Sequence, residues 1–275
     1  MQLDQTVKCG GKRLSAPTNS DSPLVTVITV VFNGKQELES TILSVLNQSY
    51  SNVEYILVDG RSTDGTLDIL HKYEDSIDYW VSEQDQGIYD AMNKGIRHAR
   101  GEWLYFLNCG DRFVDSEVLA KAALPLSRTE APLLIGRVNY LCGDRVLKQF
   151  PINAPTEITA RTLFRSKFCH QAFFARRRSY IDAGGFDTRF PVFSDFHTAY
   201  RIIRDGGGFD RIDLTIADFD GTGVSSDAQR AVHLYCETEE MLTALGESKH
   251  FLSFWSDYLR AWAYQLRKGL GAKLG

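Results

Sequence analysis

Along the chain, unbroken β-branched runs alternate with stripes of apolar residues at helical spacing. Leu24 to Phe32, LVTVITVVF, is bounded by Pro23 and by Asn33-Gly34. A continuous apolar run of this kind is what a strand covered on both faces requires. Gln36 to Leu46 then places Leu38, Ile42, Val45 and Leu46 on one helical face, and Asn52 to Asp59 supplies a second run. Strand, helix, strand in that order predicts a βαβ unit of a parallel sheet. The rhythm repeats, with helices expected over 66–73 and 89–100 and strands over 77–82 and 102–107, so an α/β domain occupies at least 24–115. Beyond it, 132–140 and 145–150 read as an antiparallel pair around Cys142-Gly143-Asp144. Helical segments are expected over 159–164, 179–183 and 195–204, within a loop-rich stretch.

The two ends carry different patterns. Residues 1–23 are rich in Gly, Ser, Thr, Asn and Asp without a hydrophobic period, which reads as a mobile tail. Residues 227–275 contain no proline and read as helices. From His250 onward, Phe251, Phe254, Trp255, Tyr258, Leu259, Trp262 and Leu266 form an amphipathic stripe, with Arg260, Arg267, Lys268 and Lys273 near its end. Such a stripe suits an interfacial helix at an anionic membrane through 250–268, and it equally suits packing on the domain or on a second subunit.

Composition narrows the class. The chain has 275 residues with 31 Lys+Arg against 35 Asp+Glu, a formal net charge of −4. A pI near 5.9 argues against a protein that coats nucleic acid, which needs clustered cations. The five cysteines are odd in number and scattered, with no C-x-x-C pair, as expected of reduced thiols. No apolar run approaches the roughly 18 to 20 residues of a membrane span, and the first residues lack the form of a signal peptide, so a cytoplasmic protein is expected.

Open α/β sheets bind ligands beyond the carboxyl ends of their strands. Polar residues stand at those places here: Asn33 after TVVF, Asp59 ending ILVD, Glu83 and Asp85 after YWVS, and Asn108-Cys109-Gly110-Asp111 after WLYFL. Each alone could be a turn former, whereas their recurrence at successive strand ends points to a site. The chain lacks the glycine spacing of a P-loop, a G-x-G-x-x-G after the first strand and a G-x-S-x-G elbow. A nucleotidyltransferase's Gly-rich phosphate loop is also missing after the first strand.

Taken together, VTVITVVFNG, ILVDGRSTDGT, SEQDQGIYDAMNKGIRHARGEWLYFLNCGD, HQAFFARRRSYIDAGGFDTRF, SDFHTAYRI and GTGVSS resemble the family 2 glycosyltransferases, in order, over about 24–226. The similarity is to bacterial members that build capsule, exopolysaccharide or O-antigen. It implies an α/β GT-A fold, a Rossmann-like nucleotide-binding sheet with a mixed second half, followed here by C-terminal helices over 227–275. It further implies inverting transfer from a nucleotide-diphosphate sugar to a glycan hydroxyl, the acceptor being polyprenyl-diphosphate-linked, with UDP as the default nucleotide and GDP or dTDP as alternatives. A non-catalytic nucleotide-sugar-binding or assembly subunit is the rival reading.

By that resemblance Val31, Asn33 and Asp59 hold the base and ribose, and Asp85 lies near the nucleotide. Asp90 and Asn93 begin the next helix, where they either meet the donor or cap and brace the helix. Asn108 and Asp111 occupy the place of the family's D-x-D motif. Asp111 is expected to ligate Mg²⁺ or Mn²⁺, while Asn108, a departure that removes one charge, contacts the donor. Asp195 aligns with the catalytic base and also fits a helix N-cap; His170 and Gln171 fit either the acceptor side or the core. Arg176, Arg177 and Arg178 are candidates for a diphosphate or for a solvated surface. Gly184-Gly185-Phe186-Asp187 reads as a tight turn, and 221–226 as a loop near the donor.

Overall fold

The computed structural model describes residues 7–12, 22–142, 145–151, 169–220, 237 and 240–246. The chain forms two compact units, 1–222 and 223–275. In the second unit, 240–244 is helical, and the amphipathic stripe from His250 lies outside the described residues, as does the helix expected over 159–164.

The first unit is built on a ten-stranded sheet. In chain order its strands are β1 (Lys8–Gly10), β2 (Val25–Val31), β3 (Val53–Asp59), β4 (Tyr79–Ser82), β5 (Trp103–Phe106), β6 (Arg112–Phe113), β7 (Leu133–Cys142), β8 (Arg145–Phe150), β9 (Phe173–Arg176) and β10 (Asp210–Asp220). The spatial order is β1-β4-β3-β2-β5-β9-β7-β10-β6, with β8 paired to β7. Strands β2 to β5 run parallel, and β9 lies antiparallel between β5 and β7. The α/β half thus matches its hydrophobic rhythm, and β7 with β8 forms the expected antiparallel pair.

Every residue of β2 is buried, as its unbroken apolar run requires. Val27 and Val31 join a core with Leu38 and Ile42 of helix α1 (Leu38–Leu46). Ile28 points the other way, toward helix α3 (Ile88–His98), where a Cβ on Gly95 would stand 2.5 Å from Ile28 Cγ2. Helix α2 (Thr66–Lys72) connects β3 to β4. Because the chain leaves β2 for β3 on one side and later returns to β5 on the other, a crevice opens at the carboxyl ends of β2 and β5.

Three features depart from the sequence pattern. Lys8–Gly10, inside the stretch read as a mobile tail, is an edge strand antiparallel to β4, with Cys9 opposite Val81. Backbone hydrogen bonds do not need a hydrophobic period, which is why composition missed it. Helix α4 (Val118–Arg128) carries Pro125 in its last turn, a residue that masks a helical stripe. Strand β10 pairs parallel with β7, and its charged alternation, DRIDLTIADFD, resembles surface chain more than a central strand.

The Gly95 contact yields a stability prediction. Gly95→Val should force α3 away from β2 and destabilise the protein by about 1–3 kcal/mol, read as a lower urea midpoint with an unchanged m-value.

Candidate active site

Four loops at the carboxyl ends of β2 to β5 lie beside the start of helix α6 (Ser194–Gly206), whereas helix α5 (Arg177–Asp182) starts at the amino end of β5, where Arg177 N–H donates to Glu102 O. The loops after β2 and β3 are laced together. Asn33 N–H donates to Ser62 Oγ at 2.7 Å, Thr63 N–H to Asn33 Oδ1 at 2.9 Å, Gly34 N–H to Thr66 Oγ1 at 3.0 Å and Lys35 N–H to Asp64 Oδ2 at 3.0 Å. The lacing holds Asn33 and Arg61 in the left-handed region, at φ 52° and 66°.

The residues expected to grip the nucleotide divide here. Asp59 is 0% exposed, and its carboxylate accepts from Ser62 N–H, Ser62 Oγ and Ser82 Oγ. It is therefore the clasp of the loop after β3 and not an open ligand for base or ribose. Val31 is buried, with its carbonyl taken by Gly60 N–H, so it too acts from beneath. Asn33 remains at the crevice as a loop brace. The sequence reading passed over Phe32, which ends the same run yet is 67% exposed, with its ring against Gly60. Only the strand's end point, after Val31, signals that Phe32 leaves the core.

Lys94 gathers the acidic loop after β4. Its Nζ reaches Glu83 at 3.0 Å, Gln84 O at 2.8 Å and Asp85, with Asp90 at 3.8 Å. Burial pushes the Asp85 carboxyl up, against the pull of Lys94. Burial opposes charge on Lys94, but its bonds to Asp85 and Glu83 win and raise its pKa. Asp85 Oδ2 stands 2.8 Å from where a Gly60 Cβ would lie, so that glycine lets the two loops meet. Asp90 accepts from Gln86 N–H and braces the start of α3.

Asn93, expected as a donor contact, braces the turn before α6. Its Nδ2 donates to Phe186 O and its Oδ1 accepts from Phe186 N–H, both at 2.8 Å. The Gly184-Gly185 turn forms as expected, with both φ values positive, and Gly185 has no room for a Cβ against Asn93. Arg176 is drawn away from any diphosphate: it pairs with Glu102 and lies over the Trp103 ring, at the amino end of β5, and Arg178 pairs with Asp182. The 221–226 loop is outside the described residues.

At the end of β5 the expected residues do meet. Thr41 of α1 donates to Asp111 O at 2.8 Å and accepts from Gly110 N–H at 3.1 Å, fixing the turn 108–111. The short turn His170–Ala172 arrives beside it, held by Tyr105 Oη on Gln171 O at 2.7 Å. Its two adjacent side chains part. Gln171 Nε2 donates to Asp111 Oδ2 at 3.0 Å, and His170 Nδ1 lies 3.1 Å from Asp195 Oδ2. His170 Nε2 in turn lies 3.0 Å from Asn108 Nδ2. Asp195 makes no N-cap bond: α6 starts at Ser194, and the carboxylate is met by His170 N–H, Phe196 N–H and, at 3.2 Å, Tyr89 Oη.

Asn108 Oδ1 and Gln171 Oε1 are buried without hydrogen-bond partners. Unpartnered buried acceptors are costly unless a ligand satisfies them. Among the described residues no group of three or more His, Cys, Asp or Glu could hold a metal by itself. One carboxylate, Asp111, with a neutral amide oxygen beside it fits a hard cation that arrives with phosphate oxygens, the mode typical of Mg²⁺.

The model of the glycosyl transferase family 2 matches residues 26–185. The chain belongs to this family. An uncharacterized glycosyltransferase of Mycobacterium tuberculosis H37Rv is 34% identical over 215 residues, covering 75% of this chain and 79% of the relative. A PGL/p-HBAD biosynthesis glycosyltransferase of Mycobacterium bovis BCG is 31% identical over 180 residues, covering 64% and 68%. Residues 1–349 of S. aureus TarS, solved with UDP-GlcNAc, superpose with a TM-score of 0.61 at 18% identity, over 78% of this chain and 66% of that one. The glycosyltransferase fold is therefore GT-A. Among the described residues no helix is long and apolar enough to cross a membrane.

Cysteines lie beside this glycosyltransferase site without serving as nucleophiles. Burial pushes the Cys109 thiol up to about 12 and Cys169 still higher, while Cys9 is exposed. Iodoacetamide at pH 8 should label Cys9 and leave Cys109 and Cys169 intact, since the thiolate is the reactive form; peptide mass spectrometry checks this.

Proposed function

We propose that the protein transfers a sugar from a nucleotide-diphosphate donor to a hydroxyl of a glycan acceptor with inversion at the anomeric carbon. The observation that carries the reading is the junction at the end of β5, where one turn ties Asp111 and Asp195 into the same crevice. Phe32 offers an exposed aromatic face for the base beside the braced 60–65 loop. Asp111, with Gln171 Oε1, would hold Mg²⁺ or Mn²⁺, which stabilises charge on the departing diphosphate when bound. Asn108 Oδ1 accepts from the donor.

Asp195 is the general base. Attack from the face opposite the leaving group needs a carboxylate on the acceptor side to take the hydroxyl proton as the new C–O bond forms. The UDP-GlcNAc bound to the TarS structure and the GDP-Man bound to a mannosyltransferase from Pyrobaculum calidifontis support a nucleotide-diphosphate sugar donor, with UDP as the first nucleotide to test and a lipid-linked glycan as the acceptor. A cytoplasmic enzyme at the membrane face, through 250–268, would meet such an acceptor.

Thermal shift across UDP, GDP and dTDP sugars with Mn²⁺ tests the donor site. A donor at a hundredfold excess over Kd should stabilise by about 2.7 kcal/mol, a shift lost in Asp111→Ala. Asp195→Asn should keep that shift while turnover falls by about two to four orders of magnitude. Full turnover by Asp195→Asn would overturn the base assignment, and no shift with any nucleotide would favour a non-catalytic subunit.

A further inference from the structure

Asn108 and His170 form, with Asp195, a line of polar contacts whose central imidazole has no part in the transfer chemistry above. The imidazole stands between an amide and a carboxylate, with Nε2 3.0 Å from Asn108 Nδ2 and Nδ1 3.1 Å from Asp195 Oδ2. It is 8% exposed and packs edge-on against Phe106 at 6.5 Å between centroids, which limits the access of water to the ring. A carboxylate accepts only, so Nδ1 must carry the proton that bonds it. The second nitrogen of a neutral ring is then an acceptor, and it needs a donor opposite.

Asn108 supplies that donor, which gives a physical reason for an amide where a carboxylate is expected. An aspartate at 108 could offer Nε2 no N–H. We propose that Asn108 and His170 are positioning residues for Asp195: the amide sets the Nδ1–H tautomer of His170, and that tautomer holds Asp195 Oδ2 in place. The proposal rests on Asp195 being the base. Oδ1 of the same amide is buried and unpartnered, so the amide's orientation is fixed from its Nδ2 side, by His170.

Nitrogen-15 NMR of the full-length, histidine-labelled protein reads the tautomer without any turnover, and loss of the signal in His170→Gln assigns it among the six histidines. The expected spectrum has one ring proton on Nδ1 and a bare Nε2. In Asn108→Asp, where a carboxylate faces Nε2, that single-tautomer signature should disappear. A proton on Nε2 in the unaltered protein, alone or together with Nδ1–H, overturns the proposal. So does an unchanged spectrum in Asn108→Asp.

Kinetics supply the second arm. His170→Ala should lower kcat by about tenfold to a hundredfold with donor KM nearly unchanged. His170→Asn, which keeps an N–H near the position of Nδ1, should recover part of that loss. Equal loss in both variants with intact donor thermal shifts, or no loss in either, overturns the positioning role. If Asp195→Asn proves fully active, the base assignment fails by itself, while the tautomer measurement still decides the Asn108–His170 contact.

Discussion

Two carboxylates of the crevice, Asp111 and Asp195, are held by neighbouring residues of a single turn. Adjacent side chains in His170–Ala172 leave the backbone in different directions, so Gln171 reaches Asp111 while His170 reaches Asp195. Each carboxylate receives its own side-chain partner from the turn. Tyr105, fully buried, anchors the turn by its hydroxyl, so the spacing of the two acids is carried down into the sheet. A packed β-strand is a stiffer reference than a surface loop.

The other half of the crevice follows the same logic with backbone groups. Loops after β2 and β3 are joined by hydrogen bonds in which Ser62, Asp64 and Thr66 accept backbone N–H groups that would otherwise lack partners. Glycines appear where two loops must touch: Gly60 under Asp85, and Gly34 against Cys109. The crevice is thereby formed before a ligand arrives, and its ordering entropy is met by folding rather than by binding.

Polar residues with similar sequence settings take different roles. Asp59 and Asp111 both follow apolar strands, yet Asp59 is closed off by serines while Asp111 keeps an unpartnered amide oxygen near it. Asn93 and Asn108 are both amides close to the site; one spends both ends on the Phe186 backbone, and the other spends only its Nδ2. Arg176 faces the amino end of β5, where Trp103 and Glu102 satisfy its guanidinium. What separates these pairs is how many partners the fold brings to each group.

The parallel strands and their covering helices were legible in the sequence because burial on both faces demands unbroken apolar runs, and helical burial demands its own period. The crevice at their carboxyl ends followed from that alternation, and so did the candidacy of Asn108 and Asp111, whereas His170, Gln171 and Asp195 were picked out only by the family resemblance. The edge strand Lys8–Gly10, helix α4 and strand β10 were hidden because backbone pairing, a late proline and charged alternation leave no hydrophobic signature. Which polar residue faces a ligand and which one braces a loop was decided only in three dimensions. A hydrogen bond depends on distance and direction between groups far apart in the chain, and residue type alone carries neither.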